Sequence, residues 1–414
     1  MEEVDLLILN ASEILTLRNY NLSKTNTDSL SIIKNGAVAI KNGIIIDVGT
    51  TKRLSKKYKA VETLEAKNKT VLPGFIDPHT HLVFAGSREF ELDLKLKGYT
   101  YQEILEKHGG GIYYTVEKTR EASKTQLVSE GKKRLDTMLA HGTTTCEAKS
   151  GYGLTTRDEI KILEVTKELN KQHPIEIVPT FLGAHAIPKE YINRKEEYVK
   201  LIIDEMLPKV AEKRLAKFCD VFCEKGFFTP EQSIKILEEA KKHGLTPKIH
   251  ADEFSDSKGA KIAAELDAIT ADHLLKASDK NLREMARKKK NIAVLLPATP
   301  FSMMLKEYAN ARKMIEYGIP VALATDLNPN CYTENMQFII QLACLKMKMT
   351  PAEAIIGATI NAAHAIDLAN KIGSLEKGKQ ADIIILNCPN HKFIPYHFGV
   401  NLVEHVIKKG KIIK

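Results

Sequence analysis

Two histidines one residue apart, His79 and His81, close an apolar stretch that reads Leu72-Pro-Gly-Phe-Ile-Asp-Pro-His-Thr-His81. On an extended strand, side chains at i and i+2 share a face, so the two imidazoles converge on one point. Neutral imidazole is a common ligand for transition metals. Two polar histidines in an ordinary loop would read the same way, so the metal reading depends on ligands elsewhere. Those lie far downstream. Pro247-Lys-Ile-His-Ala-Asp-Glu-Phe supplies His250 and, three residues on, Glu253. Ala271-Asp-His supplies His273, and Leu323-Ala-Thr-Asp-Leu-Asn-Pro supplies Asp326 and Asn328. Each alone has a plainer role, such as a helix cap for Asp326 or a satisfied strand end for His273. Together they close four separate apolar segments. His79, His81, His250 and Asp326 make three nitrogens and one oxygen, a set for one divalent ion, Zn2+ or Fe2+. A cation so held lowers the pKa of a bound water from ~15.7 towards ~7. Glu253, His273 and Asp326 are then the candidates for moving protons. A second metal would need a bridging group after the fourth strand, where Glu224-Lys225 stands; one metal is expected.

Groups gathered from four distant segments need a scaffold that brings strand ends together. Between residues 71 and 370, short apolar runs alternate with amphipathic helical stretches. The strands are expected at 71–77, 143–148, 176–180, 220–223, 246–250, 268–270, 292–296 and 320–324. Most are followed by helical periodicity, as in Pro230-Glu-Gln-Ser-Ile-Lys-Ile-Leu-Glu-Glu-Ala-Lys-Lys242, with Gly244 as a stop. Eight such units over ~300 residues match an α/β (β/α)8 TIM-like barrel, whose chemistry lies at the C-terminal strand ends. Residues 4–17, 31–48 and 61–65 instead alternate apolar and polar, and Asn42-Gly43 fits a hairpin turn. The same texture returns at 382–386 and 403–414. Residues 1–70 and 371–414 are therefore expected to build one small β-sandwich domain from both chain ends, with the barrel spanning 71–370.

Composition narrows the classes. At 414 residues, 43% hydrophobic and 27% charged, the chain is globular. It has no apolar run of the ~18 residues a membrane helix needs, and its start is acidic rather than secretory. Six cysteines make no disulfide framework or zinc ribbon, and reduced core thiols are expected. The net charge of +9 comes from dispersed lysines; Lys288-Lys-Lys290, the one tight run, reads as a solvated helix end. A cytoplasmic protein is expected, with no nucleic-acid or membrane partner. A modest positive field favours a small anionic substrate.

A wider set of motifs carries a resemblance. Pro73-Gly-Phe-Ile-Asp-Pro-His-Thr-His81, the β-rich ends and Gly373-Ser-Leu-Glu-Lys-Gly-Lys-Gln-Ala-Asp-Ile383 resemble the metal-dependent amidohydrolase superfamily across essentially the whole chain. Further segments are similar to the imidazolonepropionase family within it. They are His81-Leu-Val-Phe-Ala-Gly-Ser-Arg-Glu-Phe-Glu91, Gly98-Tyr-Thr-Tyr-Gln-Glu-Ile104, Gly109-Gly-Gly-Ile112 and Thr143-Thr-Thr-Cys-Glu-Ala-Lys-Ser-Gly-Tyr-Gly-Leu154. Phe181-Leu-Gly-Ala-His-Ala186 and Ala324-Thr-Asp-Leu-Asn-Pro329 complete the series in order.

The resemblance implies a barrel of the amidohydrolase type, usually a homodimer. It also implies hydrolysis of the ring amide of 4-imidazolone-5-propanoate to N-formimidoyl-L-glutamate in histidine degradation. Arg88 would then fork onto the propionate, although an ion pair with Glu89 or Glu91 is the plainer reading. Tyr101, Tyr152, His185 and Asn328 match family positions that line the substrate. Glu253 would hold the ring, His273 would stabilise the oxyanion, and Asp326 would relay a proton; the division of these roles stays open. Many bacterial members continue Asn-Pro-Gly with a hydroxyl residue, whereas this chain has Asn328-Pro-Asn-Cys331. Backbone contacts to substrate from Asn330 and Cys331 survive that change, and contacts through a hydroxyl do not. Gly109-Gly-Gly111 follows a helical segment and lacks a P-loop lysine, so a loop over the pocket is expected there. A deaminase of heterocyclic amines would share the metal set without needing Arg88. A non-catalytic assembly protein would be expected to lose the metal ligands, which are all present.

Overall fold

Thr143-Thr-Thr-Cys-Glu-Ala-Lys149 is buried along its whole length, as a strand covered on both faces must be. In the computed structural model, which describes residues 1–22, 27–100, 103, 104, 107 and 109–414, it is one of sixteen strands. The first five are β1 (Glu2–Leu15), β2 (Ile32–Lys41), β3 (Ile44–Thr50), β4 (Tyr58–Glu65) and β5 (Thr70–Pro73). Eight barrel strands follow: β6 (Phe75–Asp77), β7 (Thr143–Lys149), β8 (Glu176–Ala184), β9 (Phe218–Cys223), β10 (Thr246–Ala251), β11 (Thr270–His273), β12 (Ile292–Leu295) and β13 (Val321–Leu323). They pair in chain order, every pair parallel. The last three are β14 (Ile383–Leu386), β15 (Val403–Lys408) and β16 (Lys411–Ile412).

All eight expected barrel strands are present. Two differ in a way that matters. His273 is the final residue of β11 rather than a residue beyond it, and it has a left-handed backbone, φ 75°. The apolar run 71–77 is two strands in two sheets. β5 pairs antiparallel with β14, and β6 pairs with β7. The crossing is at Gly74, whose N–H donates to the Asp382 carbonyl at 3.0 Å. A Cβ there would lie 2.3 Å from the Thr144 side chain, so only glycine lets the chain pass this close.

The ends of the parallel sheet meet. Thr80 bridges Leu327, and the His81 N–H donates to the Leu327 carbonyl at 2.8 Å. Asp77 reinforces this seam. Its carboxylate accepts the Thr325 N–H at 3.1 Å and the Thr325 hydroxyl at 2.5 Å. Helices pack outside, among them Pro230–Lys242, which starts at a Thr229–Gln232 capping box and stops at Gly244, φ 78°.

The two chain ends form one mixed sheet in the order β16-β15-β14-β5-β1-β2-β3, with β4 also on β1. Asn42 and Gly43 turn β2 into β3 with φ 52° and 76°, as the hairpin signal requires. The expected sandwich is this single sheet folded over its own core of Leu6, Ile8, Val38, Ile40, Ile383 and Ile385. Among the described residues, no helix is long and apolar enough to cross a membrane, and all six cysteines are free thiols.

Candidate metal and catalytic site

β6 ends two residues before His79, and Pro78 and Thr80 alternate with the histidines, so both rings point into the barrel mouth. His79 and His81 are buried, with ring centroids 5.4 Å apart. β10 brings His250 to 4.5 Å from the His79 ring. The loop after β13 brings Asp326, whose Oδ1 lies 3.5 Å from His79 Nε2 and 3.6 Å from His81 Nε2. Three overlapping groups have donor atoms within 4.8 Å of one another: His79, His81 and Asp326; His79, His250 and His273; His81, His185 and His250. The set expected from sequence is spread over all three. His185 and His273 therefore share the same donor space.

These residues fit a divalent metal ion. His79 Nε2, His81 Nδ1 and His250 Nε2 are buried without a hydrogen-bond partner, which only a ligand can remedy cheaply. Burial drives His79 and His81 well below the ordinary imidazole value, so both are neutral, as ligation requires.

Beneath the imidazoles lies a layer of charge that the sequence reading missed. His79 Nδ1 meets Asp272 Oδ2 at 2.6 Å, and His250 Nδ1 meets Asp220 Oδ2 at 3.0 Å. Asp272 takes the His79 ring N–H and turns Nε2 to the pocket, while Asp220 stands at ion-pair distance from His250 Nδ1 and accepts the His250 backbone N–H on Oδ1 at 3.1 Å. Lys149 Nζ lies 2.7 Å from Asp220, 3.0 Å from Glu147 and 3.5 Å from Asp272. Burial alone would lower the Lys149 ammonium, but these carboxylates hold it above its ordinary value. A signal was present. Glu147 and Lys149 on β7, and Lys248 and His250 on β10, are charged or polar pairs two apart within apolar strands, the inward parity of a barrel.

Glu253 and His273 face each other across the mouth, Oε2 to Nε2 3.7 Å. Burial, then Asp326, raises the Glu253 carboxyl well above its usual range. Asp326 is held by Thr299, whose hydroxyl donates to Oδ2 at 2.6 Å; Thr299 was not foreseen, since a threonine in Pro297-Ala-Thr-Pro300 carries no distinctive pattern. Asp326 is also left-handed, φ 55°. Two of the three proton-transfer candidates thus sit on strained backbone, which favours function over packing as its cause.

The surrounding cleft, about 550 Å3, is lined by Arg88, Tyr152, His185, Glu253, Asn328 and Asn330 together with His81, His250 and Asp326. The His185 ring stacks on His81 at 4.7 Å, and Tyr152 lies 5.2 Å from His185. Arg88 reaches the cleft and is also paired: its Nε and Nη2 donate to Glu91 at 2.7 and 2.8 Å. Glu91 further accepts the Gly111 N–H, so the glycine run begins the helix Gly111–Glu121 and ties it to Arg88. Asn328 shapes the loop: its Oδ1 accepts the N–H groups of Asn330 and Cys331 at 2.8 and 3.1 Å. The Cys331 thiol is not among the groups brought together. It is buried under the loop, its Sγ 3.5 Å from the Thr325 carbonyl, because the turn leaves it facing the core. Tyr101 lies outside the described residues.

A model of the amidohydrolase family matches residues 70–413. The imidazolonepropionase of Alkaliphilus metalliredigens is 51% identical over 99% of this chain and 98% of its own length. That of Geobacillus kaustophilus is 52% identical over 99% and 97%. Among solved structures, an adenosine deaminase from Xanthomonas campestris with bound zinc superposes with a TM-score of 0.73 at 17% identity, covering 99% of this chain and 93% of that one. An atrazine chlorohydrolase from Arthrobacter aurescens with zinc gives 0.75 at 16%, over 99% and 95%. Those two establish the fold. With half of its residues shared over nearly its full length, the chain belongs to the amidohydrolase family and, within it, to the imidazolonepropionases.

Proposed function

We propose that this chain hydrolyses the ring amide of 4-imidazolone-5-propanoate to N-formimidoyl-L-glutamate. The observation that carries the reading is that Arg88 and the His–Asp donor cluster line one cleft. A guanidinium at one side suits the propionate, and the donor cluster at the other suits the ring carbonyl. His79, His81, His250 and Asp326 would hold a divalent ion, which when bound would acidify a water and polarise a carbonyl. Asp326, fixed by Thr299, accepts the water proton. The water oxygen bonds to the ring carbonyl carbon, the ring C–N bond breaks, and Asp326 returns the proton to the departing nitrogen. His273, kept neutral by burial, faces the developing oxyanion. Glu253 hydrogen-bonds the ring and holds its tautomer, and Tyr152, His185 and Asn328 close around it. Tyr101 and the backbone of Asn330 and Cys331 belong to the same substrate proposal.

Zinc or iron, one per chain, is proposed as the metal, supported by the mixed nitrogen and oxygen donor set. A homodimer and a cytoplasmic site of action complete the proposal, the latter supported by six free thiols. The β domain is assigned to residues 1–70 and 371–414 and the barrel to 71–370, the first boundary moving to Gly74 because β5 pairs within the mixed sheet. The test is to incubate the metal-loaded protein with imidazolonepropionate and follow loss of its ultraviolet absorbance. Arg88→Ala should raise KM, and His273→Ala should collapse kcat. No loss of absorbance with the unmutated protein would overturn the proposal.

A further inference from the structure

The charged layer under the imidazoles has a centre. Lys149 enters from β7 with its side chain fully buried, as are those of Glu147, Asp220, Lys248 and Asp272. Three carboxylates and two ammonium groups share this space. They are not arranged symmetrically. Lys248 Nζ lies 2.9 Å from Glu147 Oε1 and donates to the Pro78 carbonyl at 3.3 Å. It forms no ion pair with Asp220 or Asp272, and acts on Asp272 only from a longer distance. Lys149 alone reaches both of them, at 2.7 and 3.5 Å. The Asp220 and Asp272 oxygens it touches are the same Oδ2 atoms that lie 3.0 Å from His250 Nδ1 and 2.6 Å from His79 Nδ1.

Resting on the metal reading above, we propose that Lys149 is a positioning residue for the metal-binding histidines. By bridging Asp220 and Asp272 it fixes the ring nitrogen that His79 and His250 present to the pocket. The physical reason is repulsion. Two carboxylates converging on one point push each other apart unless a cation sits between them. An ammonium there holds both Oδ2 atoms beneath their imidazoles, so both rings keep their N–H downward and their lone pairs upward. Lys149 is not among the residues that line the cleft, so it acts through the two aspartates.

The test compares Zn2+ affinity, by competition with a chromophoric chelator, in the full-length chain and three variants. His79→Ala should lose Zn2+ binding. Lys149→Met should bind Zn2+ about 10- to 100-fold more weakly, the usual loss for a group behind the ligands. Lys248→Met removes an equally buried ammonium and should lose stability while keeping affinity within about threefold. Equal losses in the Lys149 and Lys248 variants would mean general disruption and overturn the proposal. Unchanged affinity in Lys149→Met would also overturn it, whereas equal Zn2+ binding by the unmutated chain and His79→Ala would overturn the metal reading itself. Should Lys149→Met not fold, Lys149→Gln is read by the same criteria. Nitrogen-15 chemical shifts of the unmutated zinc-loaded chain give a further check: both His79 and His250 should show a protonated Nδ1. A protonated Nε2 in either overturns the proposal.

Discussion

Removing one hydroxyl, in Thr299→Val, should cost most of a reaction in which valine itself takes no part. Thr299 Oγ1 donates to Asp326 Oδ2 at 2.6 Å, and both side chains are buried. Valine keeps the shape and leaves that oxygen without its donor. Oδ1 of the same carboxylate sits 3.5 and 3.6 Å from the His79 and His81 nitrogens, so rotation of Asp326 moves the donor set as well. A hydrogen bond to a charged group is worth about 1.5–3 kcal/mol net. At about 1.4 kcal/mol per tenfold, kcat/KM should fall about 10- to 150-fold. Thr299→Ser retains the donor and should stay within a few-fold of the unmutated enzyme. The assay is the loss of substrate ultraviolet absorbance over a range of concentrations, with metal content and thermal unfolding measured on the same samples. A folded, fully metal-loaded Thr299→Val enzyme within twofold of the original would refute the idea that Thr299 orients Asp326.

Other outcomes follow from other parts of the molecule. Exhaustive dialysis against a chelator should abolish turnover, and Zn2+ or Fe2+ should restore it; activity in metal-free protein would count against the donor set. Gly74→Ala should destabilise the fold by about 1–3 kcal/mol, since its Cβ would fall 2.3 Å from Thr144. Adding Thr144→Ala should recover most of that loss in urea unfolding. Burial alone would raise Glu13, but hydrogen bonds from His391 and Lys34 hold it down from an ordinary 4.5 to about 2. Its folded value is depressed, so its contribution, at most about 3 kcal/mol, is complete above pH 4.5 and disappears as pH falls towards 2. The stability gap between the unmutated chain and Glu13→Gln should therefore close between ~pH 5 and ~pH 2.5.

The barrel was legible because its strands are buried on both faces and read as bare apolar runs between helices. His79 and His81 offered a ligand pair by parity, and His250 and Asp326 at other strand ends turned that pair into a metal-site reading. Three things were not legible. The run 71–77 looks continuous because a change of sheet leaves no mark in hydrophobicity; only the Thr144 side chain pressed against Gly74 reveals it. Thr299 is invisible because its importance comes from a partner at the end of another strand. Cys331 aligned with a family position that contacts substrate, yet side-chain direction in a turn follows local backbone geometry, and Asn328 turns the thiol inward. The charged strand residues Glu147, Lys149 and Lys248 were visible, but their partners Asp220 and Asp272 come from other strands, and spacing along one strand cannot supply them.

The join between the first and last barrel strands has a consequence for how the protein matures. Asp77 clasps Thr325 there, and the same two strand ends carry His79, His81 and Asp326. An ion held by those three groups would pin the cylinder at the point where the polypeptide closes on itself. Loading it would stiffen a join that hydrogen bonds already close, and a chain starved of metal would carry its weakness along that single line.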